Sequence, residues 1–304
     1  MPDSQFDQAK AEAFSKKMLG ILNDASVAQM MVIGHQVGLF DTLAGLAPST
    51  SEQIAQASSL NERYVREWLG AMVTGRIVDY DPVDKTYRLP PEHAAAITRA
   101  AGPRNLALMM QMIPMVARVQ QGIVDSFRAG GGVPYSAYGD FHKLMAEMSG
   151  AVHDMSLVDI TLPLISQLVD RLRAGIDVLD VGCGSGHAVN LMARAFPHSR
   201  FSGYDFSQEG VAAGQTEAQE WGLTNTEFAV RDAAELGDVS LYDFITAFDS
   251  IHDQAQPRAV LRGIAEALRP DGTFLMVDVN SSSHLEENLD HVLGPMMYTV
   301  SCMH

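Results

Sequence analysis

Apolar positions follow two rhythms along the chain, and the rhythm changes near residue 165. Before that point the spacing is helical. Val65, Leu69, Met72 and Val73 fall on one face of a turn-by-turn repeat, after Asn61, a side chain suited to an N-cap. Ser51-Glu52-Gln53-Ile54-Ala55 opens a shorter helix, with a hydroxyl residue at its start. Residues 77–89, IVDYDPVDKTYRL, alternate instead around Asp81-Pro82-Val83-Asp84, which predicts a hairpin. After residue 165, short apolar runs at 176–181, 200–205, 226–230, 242–248 and 273–279 predict strands. Amphipathic stretches at 187–195, 209–220 and 257–268 predict helices between them. A last helix is predicted over 284–293.

Helix, turn, helix, hairpin is the winged-helix order, placed over residues 1–100. Strands alternating with helices predict a parallel sheet covered on both faces, over 165–304. The fold class expected is therefore α/β, a Rossmann-like parallel sheet behind an N-terminal, mostly helical winged-helix domain. Residues 101–164 read as a helical linker and substrate-pocket lid. They carry Met109, Met110, Met112 and Met115, then Met145, Met148 and Met155. Such a stripe reads first as a packed helix interface, with a substrate-facing role for some as the alternative. Gly130-Gly131-Gly132-Val133-Pro134 interrupts it as a candidate hinge. Tyr135, Tyr138, Phe141 and His142 form an aromatic cluster that reads as core or as a lid.

Composition narrows the function classes. Of 304 residues 47% are apolar and 19% charged, which describes a folded chain rather than a disordered one. A net charge of −16 disfavours nucleic acid and anionic membrane as partners, since both are polyanions. Two cysteines, Cys183 and Cys302, are too few for a disulfide framework or a structural zinc site, and no metal is expected. The sequence holds no apolar run of bilayer length and no secretory leader, so a cytoplasmic location is expected.

The candidate chemistry lies at the first predicted strand of the sheet. It ends in Asp180, and Gly182-Cys183-Gly184-Ser185-Gly186 follows. Ligands of such sheets bind beyond the carboxyl ends of the strands, where a side chain on the turn would hold the ligand away. A dinucleotide fingerprint needs glycine at 187, and His187 stands there. No lysine follows the turn to hold phosphates. The turn therefore suits a phosphate-free nucleoside ligand such as S-adenosylmethionine. Asp205, 25 residues after Asp180, closes the second strand and can accept from both ribose hydroxyls. Asp232 follows the third strand and can accept from the adenine amino group, or can cap the next helix instead.

With these residues the chain resembles the class I S-adenosylmethionine-dependent methyltransferases over about 165–304. With the winged helix in front it resembles the small-molecule O-methyltransferases of bacterial type. The resemblance implies S-adenosylmethionine as cofactor, held by Asp180, Gly182, Cys183, Gly184 and Gly186 of the turn and by Asp205 with Phe206. Asp232 with Ala233 and Phe248 with Asp249 complete the candidate set. It implies a small-molecule methyl acceptor and a homodimer formed through the N-terminal domain. Transfer to a hydroxyl needs a base, and Phe248-Asp249-Ser250-Ile251-His252-Asp253 offers His252. The family's segment there is His-Asp-Trp; His252-Asp253 match it, and Gln254 replaces the tryptophan. Asp278 matches an acid that orients the base, and a second such acid would fall beyond His304.

The family completes its sheet with two further strands, for which no residues remain after 273–279. The expectation is a truncated domain whose fifth strand is an exposed apolar edge, with cover of that edge by another subunit as the alternative. Other readings are a DNA-binding regulator, transfer to nitrogen, carbon or sulfur, and an inactive cofactor-binding fragment. Against DNA, Arg63 and Arg66 of the candidate recognition helix are offset by Glu62 and Glu67.

Overall fold

A computed structural model describes residues 6–139 and 141–303, apart from the side chains of Tyr135 and His142. The chain divides into two compact units, Met1–Gly139 and Asp140–His304.

The first unit opens with α1 (Gln8–Gln36), α2 (Leu39–Ala44), α3 (Ser51–Ser58) and α4 (Glu62–Thr74). Thr50 and Gln53 form a reciprocal capping box at the start of α3, and Asn61 caps α4 by accepting from the Arg63 N–H at 3.1 Å. The α4 face set by its apolar spacing is buried: Val65, Trp68, Leu69 and Met72 pack on Phe40 and Ile54. Trp68 meets Phe40 edge-on at 5.3 Å and donates its indole N–H to the Met30 carbonyl at 2.8 Å.

The hairpin is shorter than the alternation over 77–89 suggested. Strands β1 (Asp79–Asp81) and β2 (Thr86–Arg88) pair antiparallel. Asp81 ends the first by accepting from the N–H groups of Val83 and Asp84, an Asx turn. A bridge from Ser49 to Tyr87 completes the wing.

Five further helices bring the chain into the second unit: α5 (Pro91–Ile97), α6 (Leu106–Met109), α7 (Met112–Arg118), α8 (Gln120–Ala129) and, in the second unit, α9 (Phe141–Ser156). The methionines there divide: Met115 is buried, whereas Met155 is 64% exposed, so the packed-interface reading does not hold for all of them. In the aromatic cluster Tyr138 is buried and Phe141 half-buried, while the side chains of Tyr135 and His142 lie outside the described residues.

The sheet follows α10 (Leu168–Ala174). Its elements are β3 (Asp177–Val181), α11 (His187–Ala195), β4 (Arg200–Asp205), α12 (Gln208–Glu220), β5 (Thr226–Val230), β6 (Tyr242–Phe248), α13 (Pro257–Ala267) and β7 (Leu268–Val277). All five strands run parallel in the order β5-β4-β3-β6-β7. The pleat sorts their side chains. Val178, Phe201 and Phe244 join the core beneath α10 and α11, while Leu179, Tyr204 and Ile245 join the core beneath α13. At the amino ends, Arg269 pairs with both Asp177 and Asp243, and Arg200 with Asp177. These ion pairs tie one end of the sheet and leave the carboxyl ends for ligands.

Two expectations are corrected. The fifth strand begins at Leu268, not at 273, and stops at Val277. Leu268 already pairs with Tyr242, and a register shift absorbs the Pro270-Asp271-Gly272 segment that reads as a turn. The helix expected over 284–293 is a short 3₁₀ turn, Leu285–Asn288, followed by α14 (Gly294–Met303). Buried Asn288 pins the loop by exchanging hydrogen bonds with Ser282 and donating to the Tyr298 hydroxyl. Pro295, harmless only in a first helical turn, sets the later start. Along the β7 edge Met276 and Val277 are exposed.

Candidate active site at the carboxyl ends of the sheet

The glycine turn is locked to β4, because the N–H groups of Gly182 and Cys183 both donate to the Tyr204 carbonyl, at 2.8 and 3.1 Å. Gly182 has φ +74°, and a Cβ there would lie 2.5 Å from that of Ser250. Ser250 in turn donates its hydroxyl to the Val181 carbonyl at 2.8 Å, so the turn and the end of β6 form one packed unit. Gly184 has φ +53° and faces open space. A side chain there would fill the cradle in which a ligand could lie against the backbone. Gly186 closes the turn at the start of α11.

Two buried carboxylates flank this turn. Asp205 accepts from the Gly184 N–H through one oxygen and from the Ser207 N–H through the other, each at 2.8 Å. Its orientation is fixed, and each oxygen keeps a lone pair for a ribose hydroxyl. Asp180 is 2% exposed and accepts from the Thr246 hydroxyl at 2.7 Å. Burial, helped by the nearby Asp205 charge, pushes its carboxyl up to about 7. The same burial raises the Cys183 thiol, which packs as a small apolar group against the sheet core.

Asp232 occupies a cap. One oxygen accepts from the Ala234 N–H at 2.8 Å at the start of a 3₁₀ turn, Ala233–Glu235. Its second oxygen makes no hydrogen bond among the described residues, so the cap and a ligand contact are compatible. Phe206, 54% exposed beside Asp205, presents a ring for a base to stack upon, and Ala233 is buried. Beyond Asp232, Arg231 grips Asp238 and lies over the Tyr204 ring at 4.3 Å, which fixes this loop.

The segment after β6 carries the candidate acid–base residues. Phe248 is half-buried and packs against the sheet core. Asp249 has φ +48° and donates its N–H to the Val277 carbonyl at 2.8 Å, so β7 holds it in a conformation unusual for a side-chain-bearing residue. Burial raises its carboxyl pKa, with the Asp278 charge adding to the effect. His252 Nδ1 lies 2.6 Å from Asp278 Oδ1, and that oxygen also accepts from the Val279 N–H at 2.7 Å. Nδ1–H donation to this carboxylate leaves Nε2 as the basic nitrogen, with Asp253 3.4 Å away. The structure thus brings His252 and Asp278 together at one edge of the site, and Asp180, Asp205 and the glycines together at its centre.

Reading the sequence missed Thr246, Ser250 and the attachment of α9 to the glycine turn. Thr246 had a signal, an aliphatic hydroxyl inside the apolar run FITAF. Helix α9 lies on α11, tied by Asp154 to His187 at 3.1 Å, and the opposite nitrogen of His187 meets Glu217 at 2.7 Å. A cavity of about 410 Å³ between α9, Ser185 and Glu217 holds none of the residues expected for the cofactor.

Comparison with known proteins gives this geometry a class. Residues 25–99 match the family model described as an Rv2258c-like winged HTH domain, and residues 172–300 match that of a methyltransferase domain. The chain therefore joins a region that matches a winged-helix domain to one that matches a methyltransferase domain. Nocamycin O-methyltransferase of Saccharothrix syringae is 33% identical over 149 residues, 48% of this chain and 52% of that protein. Malonyl-[acyl-carrier protein] O-methyltransferase of Bacillus cereus is 27% identical over 146 residues, 48% of each. The chain thus spans about half the length of these curated relatives. The structure of mitomycin 7-O-methyltransferase superposes with a TM-score of 0.67 at 18% identity, over 98% of this chain and 87% of that one. Human N-acetylserotonin methyltransferase in complex with S-adenosylmethionine gives 0.66 at 18%, over 99% and 87%. At that identity the likeness is one of fold.

Proposed function

We propose that this protein transfers a methyl group from S-adenosylmethionine to a hydroxyl of a small molecule, with His252 as general base and Asp278 as its orienting acid. The observation that carries the reading is the His252–Asp278 contact of 2.6 Å, one segment away from the glycine turn. The residues present fit the cofactor. Gly184 leaves a backbone cradle open, Asp205 offers two oriented acceptors, and Asp232 keeps one oxygen unused. When bound, S-adenosylmethionine supplies a methyl group already activated by a sulfonium. The chain's own residues then have three tasks: to align donor and acceptor, to exclude water, and to take the hydroxyl proton. Nε2 of His252 takes that proton, and Asp278 stabilises the imidazolium formed. The nocamycin and mitomycin enzymes are both O-methyltransferases, which supports oxygen as the acceptor atom.

A homodimer through the winged-helix domain and a cytoplasmic setting belong to the same proposal. No described helix is long and apolar enough to cross a membrane. A regulator's role in DNA binding finds no support in α4, where Glu62 lies 3.8 Å from Arg66. Calorimetry with S-adenosylmethionine, beside a turnover screen of phenols, catechols and hydroxyquinones, tests the reading. Absence of binding at millimolar cofactor removes it.

A further inference from the structure

Helix α9 meets the end of β6 through His153. The ring of His153 lies 5.0 Å from the Phe248 ring, tilted by 59°. Its neighbour on the helix, Asp154, is the residue that meets His187, and Glu217 holds the other side of that imidazole. His187 begins α11 immediately after Gly186, so this clamp fixes α9 directly to the glycine turn. His153 itself makes no hydrogen bond among the described residues.

We propose that His153 walls the sulfonium end of the cofactor site and is a specificity residue for the cationic methyl donor. The inference rests on the cofactor reading above. A ligand anchored by its ribose at Asp205 and delivering its methyl group toward His252 must carry its reactive end past residues 248–252. Phe248 is the first residue of that segment, and His153 covers it. A cationic ring there would repel a sulfonium. Burial, with the nearby His187 charge, holds the His153 imidazole down to about 4 against the opposing pull of Asp154, so it is neutral at physiological pH. His187 by contrast is held between two carboxylates, Asp154 and Glu217.

The test compares S-adenosylmethionine with its demethylated, uncharged-sulfur product S-adenosylhomocysteine, titrated calorimetrically into the full chain at neutral pH. His153→Lys is expected to weaken the sulfonium ligand about tenfold relative to the product. His153→Glu should shift the ratio of the two affinities in the opposite direction, and His153→Gln should leave that ratio at its wild-type value. A merely structural role would change both ligands together. Equal changes in the Lys and Glu variants therefore overturn the proposal. Product binding reports folding in each variant, and if His153→Lys binds neither ligand the Glu variant decides by its sign. A wild-type chain that binds neither ligand overturns the cofactor reading and this placement with it.

Discussion

The two halves of the candidate site are built to different standards. The donor half, from Asp180 to Asp205, lies between two central strands with strands on both sides, and its carboxylates are 2% and 8% exposed. The acceptor half hangs from β6 and the edge strand β7, and the His252 side chain is 41% exposed. The donor half is held mostly by backbone, through Tyr204, Gly184 and Ser207, with the Thr246 hydroxyl on Asp180. The acceptor half also has backbone anchors at Asp249 and Val279, but its base is set by a single side-chain contact, His252 on Asp278. The difference teaches where sequence change is tolerated. A site for an invariant ligand can be rigid backbone, whereas a site for variable acceptors is cheaper to alter when side chains on a rim compose it.

The sharpest way to separate the halves is at the base. His252→Ala should lower turnover about 10²- to 10⁴-fold, the usual contribution of a positioned acid–base group. Cofactor affinity, measured by calorimetry, should change little, because the donor half has its own bonds. A variant that keeps its turnover removes His252 from the mechanism. One that loses cofactor affinity as well shows that the two halves are not independent.

Next in size is the packed turn. Gly182→Ala places a methyl group 2.5 Å from the Ser250 Cβ at φ +74°, and neither neighbour is the free end of a flexible chain. A loss of about 2–4 kcal/mol in unfolding free energy is expected, measured by denaturant titration, together with loss of cofactor binding. The opposite result, a stable variant with normal affinity, would mean that the donor half is as adaptable as the rim.

How much of each half could be read from the sequence follows the same division. VLDVGCGSG is a contiguous string, and the strand-end aspartates follow from the rhythm of strands, so Asp180, Asp205 and Asp232 were legible. The pairing of His252 with Asp278 came from resemblance, because a contact across 26 positions leaves no local trace. His153 and Asp154 were illegible for the same reason: they reach the turn from a helix that precedes the sheet. The start of β7 was hidden by Arg269-Pro270-Asp271-Gly272, whose turn chemistry is real. Tertiary demand overrides it, since Arg269 must meet Asp177 and Asp243.

Asp180 tests whether the donor half is as dry as its burial implies. Its carboxyl is raised from the ordinary value of about 3.9 to about 7. The folded state therefore favours the protonated form. That contribution is fully present below about pH 4 and is lost as the pH rises through the folded value, by up to about 1.4 kcal/mol per pH unit in between. Asp180→Asn keeps an acceptor for Thr246 and does not titrate. Its stability relative to wild type should climb between pH 4 and about 7 and level off above. Paired urea titrations across that range check it. A difference that stays flat would mean that Asp180 is solvated or partnered when ionised.

The smallest effect is expected at Asp232, where cap and ligand contact coincide. Asp232→Ala removes the acceptor of the Ala234 N–H and should cost about 1 kcal/mol, the usual value of a cap. Asp232→Ser keeps a capping oxygen but offers no second acceptor to an adenine amino group. If the residue does both, the alanine variant loses stability and affinity, and the serine variant loses affinity alone, by a few-fold for one hydrogen bond. Thermal melts with and without cofactor distinguish the two. A serine variant that matches wild type in both would reduce Asp232 to a cap, and the adenine end of the donor half would then rest on Phe206 and the loop that Arg231 holds in place.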